Sequence, residues 1–389
     1  MRTDRFPAHA QCAGIYIHIP FCVRKCAYCD FLSAPADEKV REAYTDCLNR
    51  ELRQTAEKMT QDETAVSTIY FGGGTPSILP GQQIIRLMDT LRCFGTIRPD
   101  AEITLEMNPG TVTPEKMDCY RAAGINRLSI GCQSFREEEL KLLGRIHTCE
   151  DFIKTYEMAR RAGFDNISID LMSGLPGQTA ENWRQSLDTA VSLEPEHISA
   201  YSLSIEEGTP FYDRYGTGWS EENEELDRLM YEDTKDILEK AGYLRYEISN
   251  YARPGYESRH NSSYWTGIPY YGCGLGASSL VKRPDGWFRT RNESSLERYL
   301  KESPAAPEEE ERLTERDRME EFMFLGLRLT RGIRVSEFEY RFSCTFDQVY
   351  GDVVRELKHD GLMGQEGDRL FLTDRGLDLS NYCFEKFLE

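Results

Sequence analysis

Over roughly the first 205 residues, short apolar and β-branched runs alternate with longer stretches whose apolar residues recur at helical spacing. The runs at 14–19, 68–71, 102–106, 127–130, 168–171 and 197–203 read as strands, and 37–58, 81–91, 114–123, 151–162 and 180–192 read as helices. Punctuation agrees: Pro114 stands where a first-turn proline belongs and Thr179 where an N-cap belongs, while Gly124 and Gly163 stand where helices stop. Strands alternating with helices imply right-handed crossovers and a parallel sheet. Six such units predict an α/β fold of partial or full (β/α)6-barrel type.

The remaining text is less regular. A helix is expected at 222–241, followed by aromatic-rich, strand-like pieces to about 300. Residues 303–311, SPAAPEEEE, read as the solvated core of a linker at 301–311. Helical periods at 315–329 and 346–360, a hairpin-like 361–372 and a last helix predict a small, mostly helical, winged-helix-like C-terminal domain at 312–389. The barrel would then occupy 1–300.

Composition narrows the function classes. The 389 residues are 40% hydrophobic and 29% charged, as in a soluble globular protein. Acidic residues outnumber basic ones, 66 to 47, for a net charge of −19, which argues against nucleic-acid and membrane-surface binding. From residue 308 onward 20 acidic residues face 12 basic ones, so DNA reading by the winged-helix-like end is disfavoured too. No apolar run nears the ~20 residues of a membrane span, and residues 1–11 lack the apolar stretch of a secretory signal. The expected location is the cytoplasm. Nine of the twelve cysteines are scattered singly and read mostly as small buried hydrophobes.

The other three form Cys22-x3-Cys26-x2-Cys29, directly after the first strand. Three thiolates on one tight loop can each hold one iron of a [4Fe-4S] cubane and leave the fourth open to chemistry. Arg24 and Lys25 add positive charge, which favours thiolate. The competing reading is zinc, with His18 or Cys12 as fourth ligand. Gly72-Gly73-Gly74-Thr75-Pro76 comes after the second strand and reads either as a ligand-approaching loop or as a tight turn. Glu106, Gln133 and Asp170 each stand near the end of a later strand, where a lone polar residue often only caps a turn. Together they fall at the C-terminal ends of successive strands, the face on which parallel barrels build sites.

With an aromatic, Tyr28, before the third cysteine, this motif resembles the signature of the radical S-adenosylmethionine (SAM) superfamily. The resemblance implies that a [4Fe-4S] cluster on Cys22, Cys26 and Cys29 binds SAM and donates the electron that cleaves it to a 5′-deoxyadenosyl radical. Tyr16-Ile-His18, the glycine stretch, Glu106-Met-Asn-Pro, Gly131-Cys-Gln133, Arg145 and Asp170 narrow the likeness to the coproporphyrinogen oxidase-like branch, over nearly the whole chain. It implies that Tyr16, Gly73, Glu106, Gln133, Arg145 and Asp170 contact SAM, with Gly74 and Thr75 near it. Arg145 clamping a carboxylate and acids accepting from hydroxyl and amino groups suit that task. As an alternative, Arg145 would pair on the surface with Glu138 or Glu139.

The branch contains an oxygen-independent coproporphyrinogen III oxidase and a haem chaperone. Only fifteen residues precede Tyr16, where the oxidase carries a longer segment, and His260-Asn261-Ser-Ser-Tyr264-Trp265 matches a motif of the chaperone side. Imidazole is a natural haem-iron ligand, so His260 is expected at haem; the plainer reading is a hydrogen-bonded loop histidine. The expected partners are haem or another tetrapyrrole, haem-accepting proteins such as membrane respiratory enzymes, and an electron donor such as flavodoxin or ferredoxin. The alternative function is oxidative decarboxylation of two propionates of coproporphyrinogen III. A third is a cluster or zinc scaffold without radical chemistry. Either tetrapyrrole would need local arginines for its propionates, since the overall charge repels them. Gly272-Cys-Gly-Leu-Gly-Ala277 imitates a dinucleotide fingerprint, but residues 278–284 are strand-like and broken by Pro284, so no helix N-terminus is available.

Overall fold

The computed structural model describes residues 11–216 and 221–388. Strands β1 (Gln11–Ile19), β2 (Thr64–Gly73), β3 (Ile97–Met107), β4 (Arg127–Gln133), β5 (Ile167–Ser173) and β6 (His197–Ser202) lie side by side in sequence order, every neighbouring pair parallel. Helices α1 (Glu38–Gln61), α2 (Gly81–Phe94), α3 (Pro114–Ala122), α4 (Glu137–Leu143), α5 (Cys149–Arg161) and α6 (Ala180–Ser192) lie between them in sequence. This is the expected six-unit α/β barrel, and it stays open. After α7 (Pro210–Tyr215) and α8 (Glu221–Lys240), β7 (Leu244–Glu247) and β8 (Asn250–Ala252) extend the sheet antiparallel beyond β6. Helix α9 (Arg259–Trp265) leads to β9 (Tyr270–Cys273), parallel to β1; β10 (Ser278–Arg283), β11 (Gly286–Arg291) and, after α10 (Leu296–Glu302), β12 (Glu309–Leu313) complete a twelve-stranded sheet.

Each barrel strand sorts its side chains with period two. Ile15, Ile17 and Ile19, Ile69 and Phe71, Leu105 and Met107, Leu128 and Ile130, and Ile167, Ile169 and Leu171 face the helices and join one buried apolar cluster. Helix α1 answers with Tyr44, Leu48, Leu52, Ala56 and Met59, three and four residues apart. The alternate residues face the lumen and are polar.

A second apolar cluster belongs to the C-terminal end. There α11 (Glu315–Gly326), β13 (Ile333–Arg334), α12 (Val335–Phe342) and α13 (Phe346–His359) precede the hairpin of β14 (Met363–Glu366) and β15 (Arg369–Leu372), and α14 (Asp374–Asp378) and α15 (Ser380–Glu385) close it. That is the helix-rich, winged order expected. Across the end of the segment read as linker, Glu309–Leu313 pairs with β11 as the sheet's outer strand: four of its five residues are exposed, which an acidic edge strand tolerates. The single cysteines depart further from expectation. Only Cys47, Cys132, Cys273 and Cys383 are buried, and Cys93, on the outer side of α2, is exposed. No described helix is long and apolar enough to cross a membrane. Residues 1–10, read as lacking a secretory signal, lie outside the described residues.

Candidate functional site

The lumen opens at the C-terminal ends of the strands into a cleft of about 510 Å³. Its upper wall is the loop after β1. Cys22, Cys26 and Cys29 all line the cleft as free thiols, on a loop held by Cys22 N–H donating to the Ala34 carbonyl (3.2 Å) and Ala27 N–H donating to that of Leu143 (3.0 Å). Among the described residues no three His, Cys, Asp or Glu side chains close around one ion. A cubane asks for something else, one thiolate per iron from three cysteines on one wall. Burial pushes the Cys29 thiol up, outweighing the nearby Lys25 charge expected to pull it down. Lys25 and Arg24 spend their donors on backbone carbonyls of Phe31, Gly144 and Arg145.

The glycine run packs against this loop. Gly74 N–H donates to the Ile19 carbonyl (2.9 Å) and Thr75 N–H to that of Phe21 (2.8 Å), while the Thr75 hydroxyl reaches Cys22 Sγ at 3.4 Å. A Cβ on Gly74 would sit 2.7 Å from the Phe21 carbonyl oxygen, and one on Gly73, at φ +108°, would enter the His18 ring. The run therefore serves first the approach of the chain to itself. Gly73 N–H points to Glu106 Oε2 (3.2 Å) rather than into open space.

Deeper in the lumen, Glu106 also accepts from the Tyr70 hydroxyl at 2.7 Å, and burial raises its carboxyl to about 7. Asp170 accepts from Ser129 at 3.1 Å; burial raises it as well. It lies mid-strand, because β5 runs on to Ser173. Arg145 points inward. It donates to Asn108 Oδ1 (2.5 Å), to the Gly131 carbonyl (3.0 Å) and toward Cys26 Sγ (3.6 Å), leaving Nε buried without a partner. Its surface alternative fails, since Glu139 is taken by Ser134 (2.6 Å) and Gln178 (3.0 Å). Gln133, at φ +64°, likewise leaves Oε1 buried and unpartnered. A Cβ on Gly131 would lie 2.9 Å from both Asn108 Oδ1 and Gln133 Nε2, so that glycine keeps the floor open. A buried donor and a buried acceptor lacking partners beside three thiols are what a cluster and a polar zwitterion would satisfy. The residues fit the group.

Two expected residues do not line the cleft. Tyr16 lies behind it, stacked on Tyr70 (6.2 Å between centroids) and bonded to His18 Nδ1 at 2.9 Å. His260 sits lower in the lumen, 1% exposed, with both ring nitrogens engaged: Nδ1 with the Thr68 hydroxyl and Nε2 with the Tyr264 hydroxyl, each at 2.8 Å. It stacks on Tyr70 at 5.0 Å. Buried Glu102 holds the start of α9 by accepting from Arg259 N–H (3.0 Å) and His260 N–H (2.9 Å). In this arrangement the ring fills the lumen, with both nitrogens hydrogen-bonded to hydroxyls. Burial lowers its pKa to about 3, so the ring is neutral.

Sequence reasoning passed over Tyr70, Asn108, Arg127, Ser129 and Tyr201, which all line the cleft. Arg127 is 2% exposed and makes no ion pair among the described residues. The missed signal is the alternation itself: Glu102-Thr104-Glu106, Arg127-Ser129-Gly131-Gln133 and Ser168-Asp170 are every second residue of otherwise apolar strands.

Residues 16–190 match the model of the Radical SAM superfamily and 313–379 that of the HemN C-terminal domain. The chain is 38% identical over 376 residues to a haem chaperone HemW of Lactococcus lactis, covering 96% of both chains. It is 37% identical over 385 residues to one of Bacillus subtilis, covering 96% of this chain and 98% of the other. The solved structure of the coproporphyrinogen III oxidase HemN of Escherichia coli superposes with a TM-score of 0.82 at 25% identity, over 97% of this chain and 90% of that one.

Proposed function

Because the chain belongs to the haem-chaperone (HemW) branch of the radical SAM superfamily, we propose that it binds haem and delivers it to haem-dependent proteins, with a [4Fe-4S] cluster and SAM in the barrel cleft. The observation that carries this reading is likeness to haem chaperones across 96% of both chains, at 38% identity against 25% for the oxidase.

In this reading Cys22, Cys26 and Cys29 ligate the cluster. When bound, the cluster supplies a single electron to SAM. The residues around it position that ligand. Arg145, already at the Cys26 thiol, clamps the SAM carboxylate with a charge-assisted fork. Glu106 accepts from the amino group, Asp170 from ribose hydroxyls, and the unpartnered Oε1 of Gln133 completes the floor. Gly73, Gly74 and Thr75 shape the wall beside it, and Tyr16 acts from behind by bracing Tyr70. The barrel (1–300) and the C-terminal domain (312–389) are separate units in this proposal, supported by their separate apolar clusters. Haem acceptors would be membrane respiratory enzymes, served from the cytoplasm. Exposed Val23, Phe31 and Ile146 rim the cluster loop beside Arg24 and Lys25, a surface suited to an electron donor such as flavodoxin or ferredoxin.

The test is an anaerobic assay of cluster-reconstituted protein with reductant, SAM and coproporphyrinogen III, together with haem retention on the same sample. Retained haem without protoporphyrinogen is expected. Protoporphyrinogen over many turnovers would replace this reading with the oxidase one, whose overall fold the chain shares. Cys26→Ser should lose most cluster iron, measured by chelation, without loss of the folded barrel.

A further inference from the structure

A second cavity, of about 250 Å³, lies where the barrel edge meets the C-terminal unit. Trp265 at the end of α9 and Trp287 of β11 form one wall; Phe322 of α11 and Phe342 of α12 form the other. Arg318, Arg331, Arg334, Arg341 and Arg369 all line it. Five of the twelve basic residues after position 308 thus converge on one cavity of a chain carrying −19 overall.

Neutralisation inside the cavity is incomplete. Its two carboxylates are committed, Glu321 to Arg289 (2.8 Å) and Glu337 to Arg341 (2.5 Å). Arg318, Arg331, Arg334 and Arg369 form no ion pair among the described residues. Arg318 lies over the Trp287 ring at 4.9 Å and the Phe342 ring at 5.3 Å. Burial and neighbouring Arg341 push its pKa below the usual guanidinium range, against the pull of Glu315 and Glu321. Trp265 Nε1 is buried without a partner.

Gathering five guanidinium groups around two carboxylates that already have arginine partners costs free energy unless an anion completes the set. Aromatic walls select a flat apolar body, and guanidinium forks select carboxylates. We propose that this cavity holds the haem cargo by its propionate edge, a site that rests on the haem-chaperone reading above. At 250 Å³ it is smaller than the ~300–1,000 Å³ of enclosing ligand pockets, so it grips an edge and leaves the rest of the macrocycle in the open. Among the described residues no His, Cys, Met or Tyr lines it, so the iron stays free for the acceptor's own ligands. Residues 260–265 then divide their work: His260 and Tyr264 plug the lumen, Asn261 reaches the cleft, and Trp265 faces the cargo.

The test titrates the full chain with hemin and with hemin dimethyl ester, whose propionates carry no charge, following the Soret band. Wild type should bind hemin at least tenfold more tightly than the ester. The double variant Arg318→Gln/Arg334→Gln should lose that tenfold and bind both alike. Arg331→Gln, at an exposed position without an ion pair, should lose part of it with an unchanged melting temperature. Equal affinity of wild type for both compounds, or variants that keep the preference, would overturn the assignment while haem binding itself stands. A wild type that retains no hemin at all would instead bring down the chaperone reading.

Discussion

Two side chains of the lumen titrate far from their ordinary values, and each has a measurable consequence. Burial holds the Glu106 carboxyl near 7, so it is neutral below that pH and ionised above it. A ligand ammonium prefers the ionised form; SAM affinity should therefore climb from pH 6 to 8 and then level off, read by calorimetry. Glu106→Gln should abolish that slope and weaken binding roughly ten- to a hundredfold, the ~1.5–3 kcal/mol of a hydrogen bond to a charged group. His260 acts on stability instead, over a lower pH interval. Its folded pKa of about 3 lies below the 6.5 of an exposed imidazole, so its contribution is complete above pH 6.5 and drains away as pH falls from 6.5 toward 3. In His260→Gln the melting temperature should fall less steeply over that interval, and haem should still be retained. Loss of haem from a folded H260Q protein would return the histidine to the haem site. The cysteine spacing, Glu106, Gln133 and Asp170 could be read in advance because each closes or interrupts an apolar run. His260 could not: ligand and buried plug look alike in one dimension, and its partners Thr68 and Tyr264, one of them 192 residues away, come together only in the fold.

At the level of elements, the C-terminal unit is fastened on one side to α8 and the β7–β8 hairpin. Thr330 N–H donates to the Tyr246 carbonyl at 3.0 Å, Arg328 meets Glu247 at 3.7 Å, and Asp374 of α14 bridges Lys235 (2.6 Å) and Arg245 (3.0 Å). The Arg245 side chain is 3% exposed and would stay buried without its carboxylate. Asp374→Ala should therefore destabilise the protein by about 1–3 kcal/mol, the cost of an unsatisfied buried group, seen as a lower urea midpoint. Because the cavity's second wall belongs to the unit fastened this way, hemin affinity should drop with it. The strand–helix alternation of the barrel was legible because each unit buries one stripe and turns on Gly, Thr or Pro. The short elements α4, α7, α9 and α12, of six to eight residues, carry too few turns for a period to show. The edge pairing of β12 was hidden for a different reason, since its acidic outer face is that of a solvated segment.

Taken whole, the molecule separates two tasks that one cleft could have shared. The cysteine loop and the SAM-type residues occupy the mouth of the barrel, and the arginine-lined cavity lies at the barrel's flank, against the C-terminal unit. Iron-free protoporphyrin IX should bind about as tightly as haem by fluorescence quenching, because the cavity grips carboxylates and ring rather than metal. A preference for haem of a hundredfold or more would point to a protein ligand on the iron. The division also has a consequence in time. One wall of the cavity comes from residues 265–287 and the other from 313–369, so the cavity exists only once both lie folded together. On a ribosome, where N-terminal domains fold first, the six parallel strands of the barrel, which end at Ser202, are made well before the second wall emerges. A nascent chain would therefore be unable to sequester haem, and only the finished protein would compete for the cell's free pool.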